Sequence, residues 1–313
     1  MNKTMISRAL MIFLLFFPLS VSGKKLYKFQ DENGQWFFTD REPKTEKEVI
    51  ITRLDVAPRE RIKLLRSGND NQADYSVHND YAGPVEIEFN LSEVENASAI
   101  PKLPRRFVVN SGNSGILVQI RRINQTRPWL FRLKYQYVVG RPLKNYSSVI
   151  SYLPPIAPGS SFRISQSFGG KFSHTDQRNY YAVDILMPEG TPLYAARKGV
   201  VMSVDNDFYK NGLDKKHLPE ANSIRILHDD GSMAVYVHLQ FEGAQVVPGV
   251  TVQAGQFLGY SGNTGFSSEP HLHFAVQINQ GMALASVPFR FINKIGQAED
   301  PVPGKMLDGV TGR

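Results

Sequence analysis

Pro270-His271-Leu272-His273-Phe274-Ala275-Val276 decides how the rest of this chain is read. Apart from the two histidines the run is apolar, which is the pattern of a buried strand. Side chains at i and i+2 share one face of a strand, so His271 and His273 project together into one site. Two imidazoles in a core need polar partners, and a metal ion accepts neutral imidazole nitrogen readily.

Five of the seven histidines lie between His217 and His273. The strand pattern Ala234-Val235-Tyr236-Val237-His238-Leu239 predicts His238 on the face of Ala234 and Tyr236, opposite Val235, Val237 and Leu239. Tyr181-Ala182-Val183-Asp184-Ile185-Leu186 is a third apolar run, broken only by Asp184. A carboxylate there is costly to bury unless it is paired or bound to metal. His174 stands upstream in Phe172-Ser173-His174-Thr175, a loop-like phrase. His228 reads as structural, His217 as part of a polar surface insert over residues 206–222 at the rim of the site, and His78 has no assigned role.

The chain has no cysteine, which excludes disulfides, thiolate zinc sites and cysteine nucleophiles together. Any metal must be held by His, Asp or Glu. There is no His-Glu-x-x-His helix and no Gly-x-Ser-x-Gly elbow, so neither the commoner metalloprotease arrangement nor a serine hydrolase is expected. The net charge of +7 suits an anionic wall or membrane surface. With no basic stripe interleaved by aromatics, no nucleic-acid partner is expected.

Six phrases occur in order: Gly190-Thr191-Pro192-Leu193-Tyr194-Ala195-Ala196, Gly199-Val200-Val201, Tyr236-Val237-His238-Leu239, Gly255-Gln256-Phe257-Leu258-Gly259, Ser261-Gly262-Asn263-Thr264-Gly265 and Pro270-His271-Leu272-His273-Phe274. Over about residues 160 to 292 the chain resembles the lysostaphin-type zinc endopeptidases of bacterial cell-wall metabolism. The resemblance implies a mainly β protein with an antiparallel β catalytic domain of the duplicated hybrid motif type, containing a groove. It implies Zn²⁺ held by a His, an Asp and the second His of His-x-His, with peptidoglycan as substrate. Carried onto this chain, the ligands are Asp184 and His273, and His238 and His271 flank the metal-bound water. One of these two is the general base and the other stabilises the oxyanion; which does which is left open. In many relatives the first ligand His lies four residues before the Asp, where this chain has Tyr180. The Phe172-Ser173-His174-Thr175 phrase resembles a branch with a longer gap, which makes His174 the third metal ligand. Degenerate relatives bind and regulate a cell-wall amidase, and that is the alternative function and partner.

Working outward, Pro154, Pro155, Pro158 and Gly159 punctuate a boundary. Residues 154–292 are the expected metallopeptidase domain and 293–313 a tail. Residues 73–153 alternate like strands. Val85, Ile87, Phe89 and Leu91 form one stripe, Ile116, Val118 and Ile120 another, and Trp129, Phe131, Leu133, Tyr135 and Tyr137 a third. They predict a small β-sandwich-like accessory domain. Residues 44–72 mix both charges and read as a linker. Residues 24–43 hold aromatic runs around Asn33-Gly34, a hairpin signal, and resemble a small domain of bacterial envelope proteins. Residues 1–23 read as a cleaved signal peptide: Lys3 and Arg8, an apolar run, then Val21-Ser22-Gly23. The expected address is the periplasm or cell envelope, with no stable membrane insertion after removal of the signal.

Overall fold

The computed structural model describes residues 24–30, 34–39, 43–45, 47–54, 58–143, 146 and 150–311. The expected signal peptide and the Asn33 turn position lie outside the described residues. The chain divides into two compact units, Met1–Val56 and Ala57–Arg313.

In the first unit, Lys24–Gln30 pairs antiparallel with Trp36–Thr39, as the hairpin signal implies. Its other edge pairs with Ile50–Leu54, which falls inside the stretch expected to be linker.

The second unit opens with a two-sheet sandwich. One sheet contains Gln72–Asn79, with Ala73, Tyr75, Val77 and Asn79 buried and the intervening side chains partly exposed. The other is built on Val85–Glu95, whose Val85, Ile87 and Phe89 are fully buried. Side chains of both sheets share one core, as period-two alternation requires. The sandwich begins earlier than its apolar pattern suggests. Ile62–Asn69, within the expected linker, pairs along its whole length with Gln72–Asn79. Only Ile62 of that strand is buried, so its charges are those of an exposed edge rather than of a linker. Ile116 does not continue the Val118–Ile120 stripe: it precedes the Val118–Arg122 strand and is 56% exposed.

The third stretch forms a long antiparallel sheet. Its central order is Gly199–Asp205, Asn222–Leu227, Met233–Ala244, His271–Asn279, Val183–Leu186, Ser161–Gln166 and Met306–Asp308. One face carries the core: Val183, Ile185, Ile226, Ala234, Tyr236, Leu272 and Phe274 are all buried. Met306–Asp308 belongs to the expected tail, yet it pairs with Ser161–Gln166 and buries Leu307. The sandwich and this sheet pack together. Glu86, buried, accepts from Asn279 Nδ2 at 2.9 Å and from the Met282 amide at 2.7 Å.

Candidate metal centre and groove

Register builds the site. Gln166 lies opposite Asp184, Asp184 opposite His273, and His273 opposite Val237, in one row across four adjacent strands. Directly opposed residues share a face. The row therefore sits on the opposite side of the sheet from Tyr236, Leu272, Phe274 and Ile185. His271, two positions before His273, joins it as the spacing predicts.

His174 comes from outside the sheet. A series of turns over residues 169–181 carries it, with its amide donating to the Gly170 carbonyl at 3.0 Å. Its ring is fully buried. His174 Nε2 lies 3.1 Å and His273 Nδ1 2.8 Å from Asp184 Oδ1. The three ligand-capable atoms fall within 4.8 Å of one another. Zinc bonds of roughly 2.0–2.1 Å in a tetrahedron need donor atoms about 3.3 Å apart, so these spacings fit a small divalent ion.

The outer nitrogens fix how the rings present themselves. A backbone carbonyl can only accept, so His174 Nδ1 donates to the Ser167 carbonyl at 2.9 Å. Asn179 Nδ2 donates to the Asp176 carboxylate at 3.3 Å, which turns Asn179 Oδ1 toward His273 Nε2 at 3.2 Å. Each ring thus spends its N–H outward and aims a lone pair inward at Asp184. Burial opposes the charged form of His174, yet the hydrogen bond and charge of Asp184 hold its pKa above the ordinary value. Burial likewise opposes ionisation of Asp184, but hydrogen bonds from His174 and His273 hold it well below the usual carboxylate range.

His238 reaches the site by a route the strand period does not give. Strict alternation puts it with Ala234 and Tyr236, and those two residues are in the core. The structure places a bulge here: Ser223 pairs with Val237, Asn222 pairs with Leu239, and His238 has φ of +68°. Histidine tolerates this left-handed region better than bulky or β-branched residues do. The bulge turns the ring to the Val237 face. His238 Nδ1 donates to the Thr264 carbonyl at 2.6 Å, and His271 Nδ1 to the Glu269 carbonyl at 2.8 Å. Both rings keep Nε2 for the site, and their centroids are 4.6 Å apart. Burial, then repulsion from His271 and His273, pushes His238 down to about 3. Burial also lowers His271, while the Asp184 carboxylate, 3.8 Å from its Nε2, pulls the other way.

Asp184, His238, His271 and His273 line an open groove of about 1040 Å³, and His174, fully buried, reaches Asp184 from behind its wall. Lys215 and Leu218, from the insert over residues 206–222, stand at its rim with Phe172 and Phe266. Tyr180 is not among the lining residues; it is 47% exposed and rests on Gly169 and Tyr181. His217 pairs with Glu220 at 2.6 Å. His228 is buried away from the groove, donating to the Lys198 carbonyl at 2.7 Å. His78 pairs with Asp80 in the sandwich. Asn179 and Gln166 were not singled out by the sequence; both are uncharged, and only register and the loop's turns bring them to the site.

The family model described as Peptidase family M23 matches residues 178–285. This region is an M23 peptidase domain. The matched span holds Asp184, His238, His271 and His273, and it begins after His174. Lysostaphin of Staphylococcus simulans is 34% identical to the chain over 119 residues, which is 37% of this chain and 22% of lysostaphin. The glycyl-glycine endopeptidase ALE-1 of Staphylococcus capitis is 34% identical over 133 residues, 42% of this chain and 34% of its own. The peptidoglycan DD-endopeptidase ShyA of Vibrio cholerae is 34% identical over 118 residues, 37% of this chain and 25% of its own. The chain thus spans between 22% and 34% of the length of these three relatives. The solved structure of lysostaphin aligns with 45% of this chain and 47% of its own at 28% identity, with a TM-score of 0.30.

Proposed function

We propose that this chain is an exported, zinc-dependent endopeptidase that hydrolyses amide bonds in the cross-linking peptides of peptidoglycan. The observation that carries the proposal is the convergence of five side chains on one site at the wall of one groove. His174, Asp184 and His273 aim three donor atoms at one point, and His238 and His271 aim two further Nε2 atoms into the same space. The relatives named for peptidoglycan or glycyl-glycine cleavage support the substrate class. Among the described residues no helix is long and apolar enough to cross a membrane; export rests on the N-terminal pattern. Nothing in the groove or among these relatives favours the amidase-regulating alternative.

Bound by His174 Nε2, Asp184 Oδ1 and His273 Nδ1, Zn²⁺ would supply Lewis acidity toward water and the scissile carbonyl. The chain supplies the proton transfers. Both candidate bases are neutral at pH 7 with Nε2 unprotonated, as a general base requires. His271, beside the Asp184 carboxylate, is the better proton acceptor; His238, pushed down to about 3 by burial, is the poorer. In this reading His271 Nε2 takes a proton from water as its oxygen bonds to the carbonyl carbon. The resulting N–H then donates to the leaving amine as the C–N bond breaks. His238 packs against His271 and fixes the position of its ring.

The test is mass spectrometry of fragments released from purified peptidoglycan by the protein with zinc, beside His273→Ala and His271→Ala. New peptide ends formed by the wild type alone, with zinc retained in His271→Ala, are the expected result. Folded wild type that binds no zinc and releases nothing would overturn the reading.

A further inference from the structure

The displaced ligand raises a physical question. Asp184 and His273 are fixed by backbone pairing between neighbouring strands, but His174 arrives on a loop of turns. Something must hold that loop against the sheet with a precision of a few tenths of an ångström, or the three donors do not converge.

Gln166 stands where such a tie is needed. It ends the Ser161–Gln166 strand, opposite Asp184 and just past a register shift. Its carboxamide makes three hydrogen bonds. Nε2 donates to Asp184 Oδ2 at 2.8 Å and to Ser173 Oγ at 2.7 Å, and Oε1 accepts from the Phe172 amide at 3.1 Å. The orientation of the amide is fixed by its partners: an ionised carboxylate only accepts and a backbone N–H only donates. Both Nε2 hydrogens and Oε1 are therefore engaged. Two of the three bonds go to the residues immediately before His174. The third goes to the oxygen of Asp184 that does not face the histidines, which leaves Oδ1 turned toward the centre. Gly170 fits the same arrangement, since a Cβ there would collide with the Gln166 side chain.

We propose that Gln166 is a positioning residue for the metal centre, a single carboxamide that fastens the loop-borne ligand His174 to the sheet-borne ligand Asp184. This rests on the zinc reading given above. Gln166 touches neither substrate nor the reacting atoms and acts through the other two side chains. A glutamate at this position would set a second carboxylate against Asp184; a leucine keeps the bulk and removes all three hydrogen bonds.

The experiment is a Zn²⁺ competition titration against a chromogenic chelator on the full chain, with the visible spectrum of the Co²⁺-loaded protein as second readout. Wild type, Gln166→Leu, Gly170→Ala, His174→Ala and the Gln166→Leu/His174→Ala double variant are compared, with folding checked by circular dichroism. Outer partners of metal ligands typically contribute about 10–100-fold in affinity. Gln166→Leu and Gly170→Ala are expected to weaken Zn²⁺ binding by that order and to alter the Co²⁺ bands. In the His174→Ala background the Gln166→Leu change is expected to add little, because the tie then has no ligand to hold. A folded Gln166→Leu that binds Zn²⁺ as tightly as wild type overturns the inference alone. So does a full additional loss in the double variant, which would mean that Gln166 serves Asp184 only. Wild type that binds no Zn²⁺ overturns the zinc reading, and this inference with it.

Discussion

Two kinds of support meet at one point. Asp184 and His273 belong to adjacent strands and are directly opposed, so the sheet's hydrogen bonds set their separation. His174 belongs to a loop held by turns and by side-chain bonds. The difference teaches that a site can be partly inherited from the fold and partly assembled on it. The inherited part is hard to move: a one-residue slip would send Asp184 or His273 into the apolar core. The assembled part depends on the course of the loop: His174 comes ten residues before Asp184 in sequence, and the turns still bring its Nε2 to 3.1 Å from Asp184 Oδ1.

The sharpest way to break this contrast is to remove one member of each kind. His273→Ala is expected to abolish stable zinc binding. Release of peptide fragments from peptidoglycan should be lost with it. His174→Ala should lose more zinc affinity than the roughly 10–100-fold of an outer partner, yet lower the thermal unfolding temperature of the metal-free chain less than His273→Ala does, because His174 is carried by a loop and not by a central strand. Equal destabilisation of the metal-free fold by both variants would erase the distinction between sheet and loop.

The sheet also has an acid weakness of its own. His228, at the turn between Asn222–Leu227 and Met233–Ala244, is pushed by burial down to about 4. An unfolded histidine titrates near 6.5. The unfolded chain therefore binds the proton more readily, and stability is lost as pH falls from about 6.5 through 4. The full effect is roughly 3 kcal/mol. Urea unfolding of the metal-free chain across that range should show the slope, and His228→Gln should reduce it, leaving the part that the buried His238 contributes. An unaltered slope in the variant would assign the acid response to other groups. The smallest effect is expected at Tyr180. Exposed and turned away from the groove, it should allow Tyr180→Ala to keep zinc affinity and kcat/KM within about twofold. A large loss there would place the usual ligand position back in the site.

Much of the fold was legible because alternation is a local signal. Val85, Ile87 and Phe89 announced a sandwich strand, and His271 and His273 announced their shared face. Asp184 stood out because a carboxylate in an apolar run needs a reason. What was hidden is non-local or conformational. The left-handed φ of His238 leaves no mark in Tyr-Val-His-Leu, so the period alone sends its ring into the core. Ile62–Asn69 reads as linker because an exposed edge and a linker share the same charged composition. Gln166 and Asn179 gain their roles from register and turns, and neither residue type signals metal chemistry by itself. The resemblance pointed to His174; the distances to Asp184 and Ser167 show how a loop brings it in.

One pairing bears on how this domain can be moved to another protein. The edge of Ser161–Gln166 is covered by Met306–Asp308, and Ser167 Oγ donates to the Pro301 carbonyl at 2.9 Å. A fragment trimmed to the family-matched residues 178–285 would discard His174 and Gln166. A fragment ending at residue 292 would keep both but leave the strand behind Gln166 with bare N–H and C=O groups, an open template for aggregation. For fusion or transplantation, the transferable unit runs on through Asp308, well past the last histidine.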